Sequence, residues 1–155
     1  MSEFEGRLVA VGRLAVVVSR YHERVTARLL EGAMVACLEA GVPDADVDVL
    51  WVSGAFELGI VVTAAAHGGR YAAIVALGVV IRGDTPHFEY VAGETAAALA
   101  RAATDALVPV GFGLLTCDTM EQAEARAGGA AGNKGREAAE AALRTADLIR
   151  QALEE

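Results

Sequence analysis

Short unbroken apolar runs alternate along the chain with stretches whose apolar positions recur every three or four residues. Leu14 to Ser19, rich in β-branched residues, reads as a buried strand. From Glu23 to Ala40 the apolar positions Val25, Leu29, Leu30, Ala33, Met34 and Cys37 keep helical spacing, while Arg24, Arg28, Glu31 and Glu39 fall largely opposite. Gly41 and Pro43 then end that helix. Asp46 to Val52 alternates before Leu-Trp-Val and predicts a strand that goes from half exposed to buried. Ser53-Gly54-Ala55 turns into an apolar helix from about Phe56 to Ala66, closed by Gly68-Gly69. Ala72 to Ile81 is a strand buried on both faces, followed by an alanine-rich helix from Pro86 to about Ala106. Val108 to Thr116 predicts another strand. Asp118-Thr119 with Gln122 forms a capping-box signal for a helix to about Ala127. A glycine-rich loop, Gly128 to Gly135, precedes a last helix from about Arg136 to Leu153. Phe4 to Val11 alternates loosely and reads as a short strand or as an arm that pairs with another subunit.

Strands alternating with helices predict an α/β fold: an open, mostly parallel sheet with helices on both faces, in a single domain over residues 1–155 with 1–13 as an N-terminal arm. Right-handed crossovers put the turns after the strands on one edge, where ligands of such sheets sit. Those turns are Arg20–His22, Ser53–Glu57, Arg82–His87 and the segment after Thr116. The third is the most informative. The strand breaks at Arg82-Gly83, and Thr85-Pro86 carries two helix-opening signals, a capping hydroxyl and a proline for the first helical position. Backbone N–H groups converging at such a junction attract anions, phosphate above all. His87 stands beside them, and histidine is the side chain suited to proton transfer near neutral pH.

Composition narrows the reading. The 155 residues are 54% hydrophobic, yet no apolar run approaches the roughly 18–20 residues of a membrane-spanning helix. A formal charge of −8 argues against general nucleic-acid binding. No apolar signal segment opens the sequence, which makes the cytoplasm the expected location. Cys37 and Cys117 read as buried small hydrophobes, and the scattered His22, His67 and His87 offer no metal-ligand spacing. Gly128 to Gly135 fails the phosphate-loop pattern, and Gly111-Phe112-Gly113 lacks the third glycine of a dinucleotide fingerprint. Taken singly, Arg126 and Lys134 read as surface charges, Glu57 as a helix-dipole partner, Phe112 as core and His87 as a structural polar residue. Residue by residue, the chain is an α/β domain that binds a small phosphorylated ligand.

Several motifs taken together are more specific. Gly54-Ala55-Phe56-Glu57, the run from Ala76 to Tyr90, and Arg126-Ala127-Gly128 followed by Ala131-Gly132-Asn133-Lys134-Gly135 resemble the lumazine synthases of riboflavin biosynthesis. Phe112-Gly113, Thr116-Cys117-Asp118-Thr119 and Glu121-Gln122-Ala123 extend the resemblance from Leu14 onwards. It implies a flavodoxin-like three-layer sandwich around four parallel strands. It also implies pentamers, often twelve to a hollow shell, with riboflavin synthase as a candidate partner. The implied reaction joins 5-amino-6-(D-ribitylamino)uracil to 3,4-dihydroxy-2-butanone 4-phosphate, releasing phosphate and water, without metal or organic cofactor. By the same resemblance Tyr21 stacks on the pyrimidine, while Ala55, Phe56, Glu57, Val79, Val80 and Ile81 hold the ribitylaminouracil. Asp84, Thr85, Arg126 and Lys134 hold the butanone phosphate, His87 is the acid/base, and Phe112 closes the site from a neighbouring subunit.

Three positions depart from the common pattern or vary within it: Tyr21 where phenylalanine or tryptophan is frequent, His22 where asparagine or histidine occurs, and Ser53 where proline is usual. The short Arg126–Gly135 spacing matches shell-forming members and favours a 60-subunit shell. Two other classes of function compete with catalysis on this scaffold: a non-catalytic carrier of lumazine or flavin, and a structural cage.

Overall fold

Two alternating side-chain sets on the first strand divide the molecule into layers. In the computed structural model, which describes residues 1–153, β1 (Leu14–Ser19) turns Leu14, Val16 and Val18 to one face and Ala15 and Val17 to the other. All five are fully buried. Strand residues apolar on both sides belong in the middle of a sheet covered twice. The sheet indeed runs in the order β2-β1-β3-β4, all parallel, with β2 (Val47–Val52), β3 (Ala73–Ile81) and β4 (Val110–Cys117). This is the expected flavodoxin-like arrangement.

One face is covered by α1 (Glu23–Glu39) and α5 (Lys134–Leu153), whose Leu29 and Leu143 pack on Leu14, Val16 and Leu77. The other is covered by α2 (Leu58–His67) and α3 (His87–Ala106), which bring Leu58, Val62 and Leu99 against Val17 and Ile74. Each such side chain, taken fully out of water, contributes roughly 1.5–3 kcal/mol.

Four expectations are corrected. Residues Phe4 to Val11 form no strand; they run as an extended arm against α5. There the Arg7 main-chain N–H and guanidinium donate to Asp147, and this fully buried carboxylate is held well below the usual range by those bonds. An alternating pattern without a free neighbouring strand in the chain has no ladder to join. The apolar helix predicted from Phe56 begins instead with a 3-10 turn, Ala55–Glu57, before α2. The helix after the third strand starts at His87, not Pro86, and the Thr85 hydroxyl lies 3.5 Å from the His87 N–H as its only link to that end.

The glycine-rich segment is not a loop. After α4 (Met120–Ala125), held by the Thr119–Gln122 capping box, the chain forms a hairpin of β5 (Ala127–Gly129) and β6 (Gly132–Asn133). Gly128 and Gly132 take positive φ, which glycine tolerates at little cost. Gly135 serves packing: a β-carbon there would come within 2.0 Å of the Leu29 carbonyl oxygen. Asn133 caps α5 by accepting from the Arg136 N–H at 3.1 Å and ties the hairpin to α1 through the Arg28 carbonyl.

Candidate functional site

At the carboxyl edge of the sheet the chain leaves three strands in succession, and each exit contributes one wall of a cavity of about 820 Å³. Parallel strands bring these exits to the same edge. The first wall is Tyr21 and His22. The β1–β2 ladder continues past both strands, with the Arg20 N–H donating to the Val52 carbonyl at 2.8 Å and the Tyr21 N–H to the Ser53 carbonyl at 3.0 Å. Tyr21 is thereby set beside the second exit. Arg20 turns away, lying 4.5 Å over the Trp51 ring and pairing with Glu23 at 2.6 Å.

The second wall is Gly54 to Glu57, with Ala55 buried and Phe56 and Glu57 exposed. The buried Thr95 of α3 donates its hydroxyl to the Ala55 carbonyl at 3.4 Å, which fixes the 3-10 turn against the neighbouring helix. The third wall is the end of β3, Val79 to Ile81, whose main chain borders the cavity while Val79 and Val80 are buried. The α3 helix closes the far side with His87, Tyr90, Val91 and Glu94. These four stand at i, i+3, i+4 and i+7, so one helical face looks into the cavity.

The turn between β3 and α3 is held by Arg82. Its N–H donates to the Cys117 carbonyl at 2.9 Å, its guanidinium bridges Asp118 at 3.0 Å and Glu89, and it lies 4.3 Å over the Phe88 ring. The bond from Arg82 lowers the Glu89 pKa and that pairing raises the arginine's own. One cation therefore joins the end of β3, the first turn of α3 and the end of β4. Asp84 and Thr85 stand exposed on the turn it anchors.

Eight of the residues singled out in the sequence line this one cavity: Tyr21, Ala55, Phe56, Glu57, Val79, Val80, Ile81 and His87. Five do not. Asp84 and Thr85 lie on the turn leading to His87. Arg126 donates to the Gln122 carbonyl at 3.0 Å, and Lys134 pairs with Glu137 at 3.5 Å; both flank the hairpin. Phe112, expected as core by default, is 48% exposed on the edge strand β4. The cavity also has Gly54 and Tyr90, quoted in the sequence motifs without a site role, and Val91 and Glu94, which the sequence reading passed over; the spacing of the last three from His87 is the signal that finds them. Among the described residues no three His, Cys, Asp or Glu side chains gather as a metal-ligand group, and no helix is long and apolar enough to cross a membrane.

Chemically, the cavity offers an aromatic wall, a run of strand main chain with its donors and acceptors, a carboxylate, and an imidazole at the start of a helix. That set suits a flat heterocycle with a polyhydroxy tail. Comparison with known proteins gives the same direction. The family model described as 6,7-dimethyl-8-ribityllumazine synthase matches residues 12–150. The chain is 56% identical to the 6,7-dimethyl-8-ribityllumazine synthase of Gemmatimonas aurantiaca over 154 residues, covering 99% of this chain and 94% of the relative. It is 50% identical to that of an Anaeromyxobacter species over 98% and 94% of the two chains. Identity to the Syntrophus aciditrophicus protein is 48%, over 95% and 96%.

Proposed function

The chain belongs to the 6,7-dimethyl-8-ribityllumazine synthase family, and we infer that it condenses 5-amino-6-(D-ribitylamino)uracil with 3,4-dihydroxy-2-butanone 4-phosphate at the cavity above β3. It is a transferase of riboflavin biosynthesis. The observation that carries the assignment of the site is the meeting of Tyr21, Ala55–Glu57, Val79–Ile81 and His87, from four separate chain segments, around one space.

In this reading the pyrimidine stacks on Tyr21, its polar edge meets the main chain of Val79 to Ile81, and Glu57 accepts from ribityl hydroxyls. Phe56 covers the ring from the side of the 3-10 turn. The butanone phosphate lies over the Asp84–Thr85 turn, where N–H groups at the start of α3 favour an anion. Arg126 and Lys134 supply the counter-charge. The primary amine of the uracil attacks the ketone carbonyl and water leaves as the imine forms. Phosphate elimination, closure by the second nitrogen and loss of a further water complete the ring. His87 takes and returns protons in these steps. The amine is already a nucleophile, so holding both substrates in register supplies most of the acceleration.

A homo-oligomer is part of the same proposal. Phe112 is half exposed and outside its own chain's cavity, and an aromatic so placed fits as the closing wall of a neighbour's site. Phe56, Ile60 and Phe112 leave apolar surface that a pentamer would cover. Five copies of the 16.0 kDa chain give about 80 kDa and sixty give about 960 kDa, so light scattering separates a pentamer from the proposed 60-subunit shell. The buried, unpaired Cys37 and Cys117 fit the reducing cytoplasm. Riboflavin synthase, which consumes the product, is the proposed protein partner.

Mixing the protein with both substrates and following lumazine fluorescence tests the function. Steady product formation is expected. Binding of lumazine without turnover would favour the carrier, and neither would favour the cage.

A further inference from the structure

His22 has a backbone conformation that non-glycine residues adopt uncommonly. Its φ of 59° and ψ of 47° are left-handed, a conformation in which a β-carbon crowds the following carbonyl and which glycine or asparagine adopts more readily. Leu107 is the one other non-glycine residue with positive φ among those described, and it closes α3 at the opposite edge of the sheet. Non-glycine residues held this way concentrate at functional sites.

Helix capping does not explain the imidazole. The His22 carbonyl accepts from the Val25 and Thr26 N–H groups at 2.9 and 3.1 Å, which any residue would supply, and its side chain makes no capping hydrogen bond. What the ring does is lie against Tyr21, with centroids 4.4 Å apart and planes tilted by 59°. That is a favourable aromatic geometry. Tyr21 needs such support: its main chain is pinned to Ser53, but the residue is 67% exposed. Arg20, the other neighbour, is committed to Trp51 and Glu23.

We propose that His22 is a positioning residue, whose ring buttresses Tyr21 so that the pyrimidine meets a fixed aromatic wall. The left-handed turn at His22 is what folds its ring back onto the preceding side chain. Partial burial lowers the imidazole pKa, which favours the uncharged ring against Tyr21. This inference rests on the proposed reaction and deepens it.

The test compares wild type, His22→Gly, His22→Asn, Tyr21→Ala and the His22→Gly/Tyr21→Ala double variant, with ribitylaminouracil varied at saturating butanone phosphate. Both single His22 variants keep or ease the left-handed turn, so thermal midpoints at or above wild type are expected. The KM for ribitylaminouracil should rise about three- to tenfold, the range of one aromatic pair, with kcat within about twofold. The double variant should be no worse than Tyr21→Ala alone, because the two residues act as one unit. Wild-type KM in both His22 variants would overturn the proposal, leaving only a backbone role. So would a His22 effect that adds in full to Tyr21→Ala, or a fall in kcat with KM unmoved. Wild type that forms no lumazine would sink the functional reading and this one with it; an active wild type with indifferent His22 variants would sink this one alone.

Discussion

The main-chain N–H of Lys134 donates to the carbonyl of Arg126 at 2.8 Å, so the two cations leave the chain side by side at the base of the β5–β6 hairpin. Eight residues apart in sequence, they form one basic edge in space. Arg126→Ala should raise the KM for butanone phosphate about 10- to 100-fold, the usual worth of a hydrogen bond to a charged group. Lys134→Ala should cost less, since Glu137 already draws on its charge. Initial rates with varied butanone phosphate decide it, alongside a thermal midpoint, because Arg126 also holds the end of α4 through Gln122. An unchanged KM in Arg126→Ala would remove this edge from the site.

His87→Ala should lower kcat by about 100-fold or less and leave both KM values within about threefold. Acid/base assistance alone is worth roughly 10²–10⁴, and alignment of the two substrates survives the change. Single-turnover fluorescence reads the rate directly. Complete loss of turnover with binding intact would contradict the role given to proximity.

Asp48 makes stability depend on acid. The Arg13 guanidinium at 2.7 Å and the Tyr71 hydroxyl, also at 2.7 Å, hold its carboxyl down to about 2, against about 4 in an unfolded chain. A carboxylate depressed on folding stabilises above its unfolded pKa, and that contribution is lost as pH falls through the folded one. Asp48→Asn should therefore melt below wild type at pH 7. The gap in melting temperature should hold down to about pH 4 and close towards pH 2. A gap independent of pH would show that shape, not charge, matters there.

Gly135→Ala sets two effects against each other. Alanine inside a helix is favoured over glycine by roughly 0.5–1 kcal/mol. The new β-carbon, however, would meet the main chain of Leu29, which cannot rotate away. Over-packing of this kind costs about 1–3 kcal/mol or more, so the net change should be destabilising. Urea unfolding midpoints would show it, and a stabilised variant would mean that α1 and α5 can separate without penalty.

Much of this architecture is legible from apolar spacing alone. The first strand appears at Leu14–Ser19 as read, and the others fall within about two residues, because runs buried on both faces admit few alternatives. The turns after β1, β2 and β3 meet as expected because parallel strands leave them no other edge. What the pattern did not give was governed by tertiary packing. Gly128 to Gly135 reads as a loop by composition, yet Asn133 and the Gly135–Leu29 approach fold it against α1. The arm failed as a strand because its partner is the buried Asp147, distant by 140 positions. Phe112 reads as core because it stands in an apolar strand, yet β4 is the edge of the sheet and leaves it half exposed.

The clasp between the arm and α5 also brings the two ends of the described chain together. Arg7 reaches Asp147, and Gln151 donates to the Glu5 carbonyl at 3.0 Å, so residues 5 and 151 are neighbours. A short bridge could splice them into a ring reopened at a turn such as Gly41, giving a circular permutant with the same sheet. By the same geometry, guests fused before residue 5 and after residue 151 would sprout from one spot, and a molecule bearing both would set them jostling.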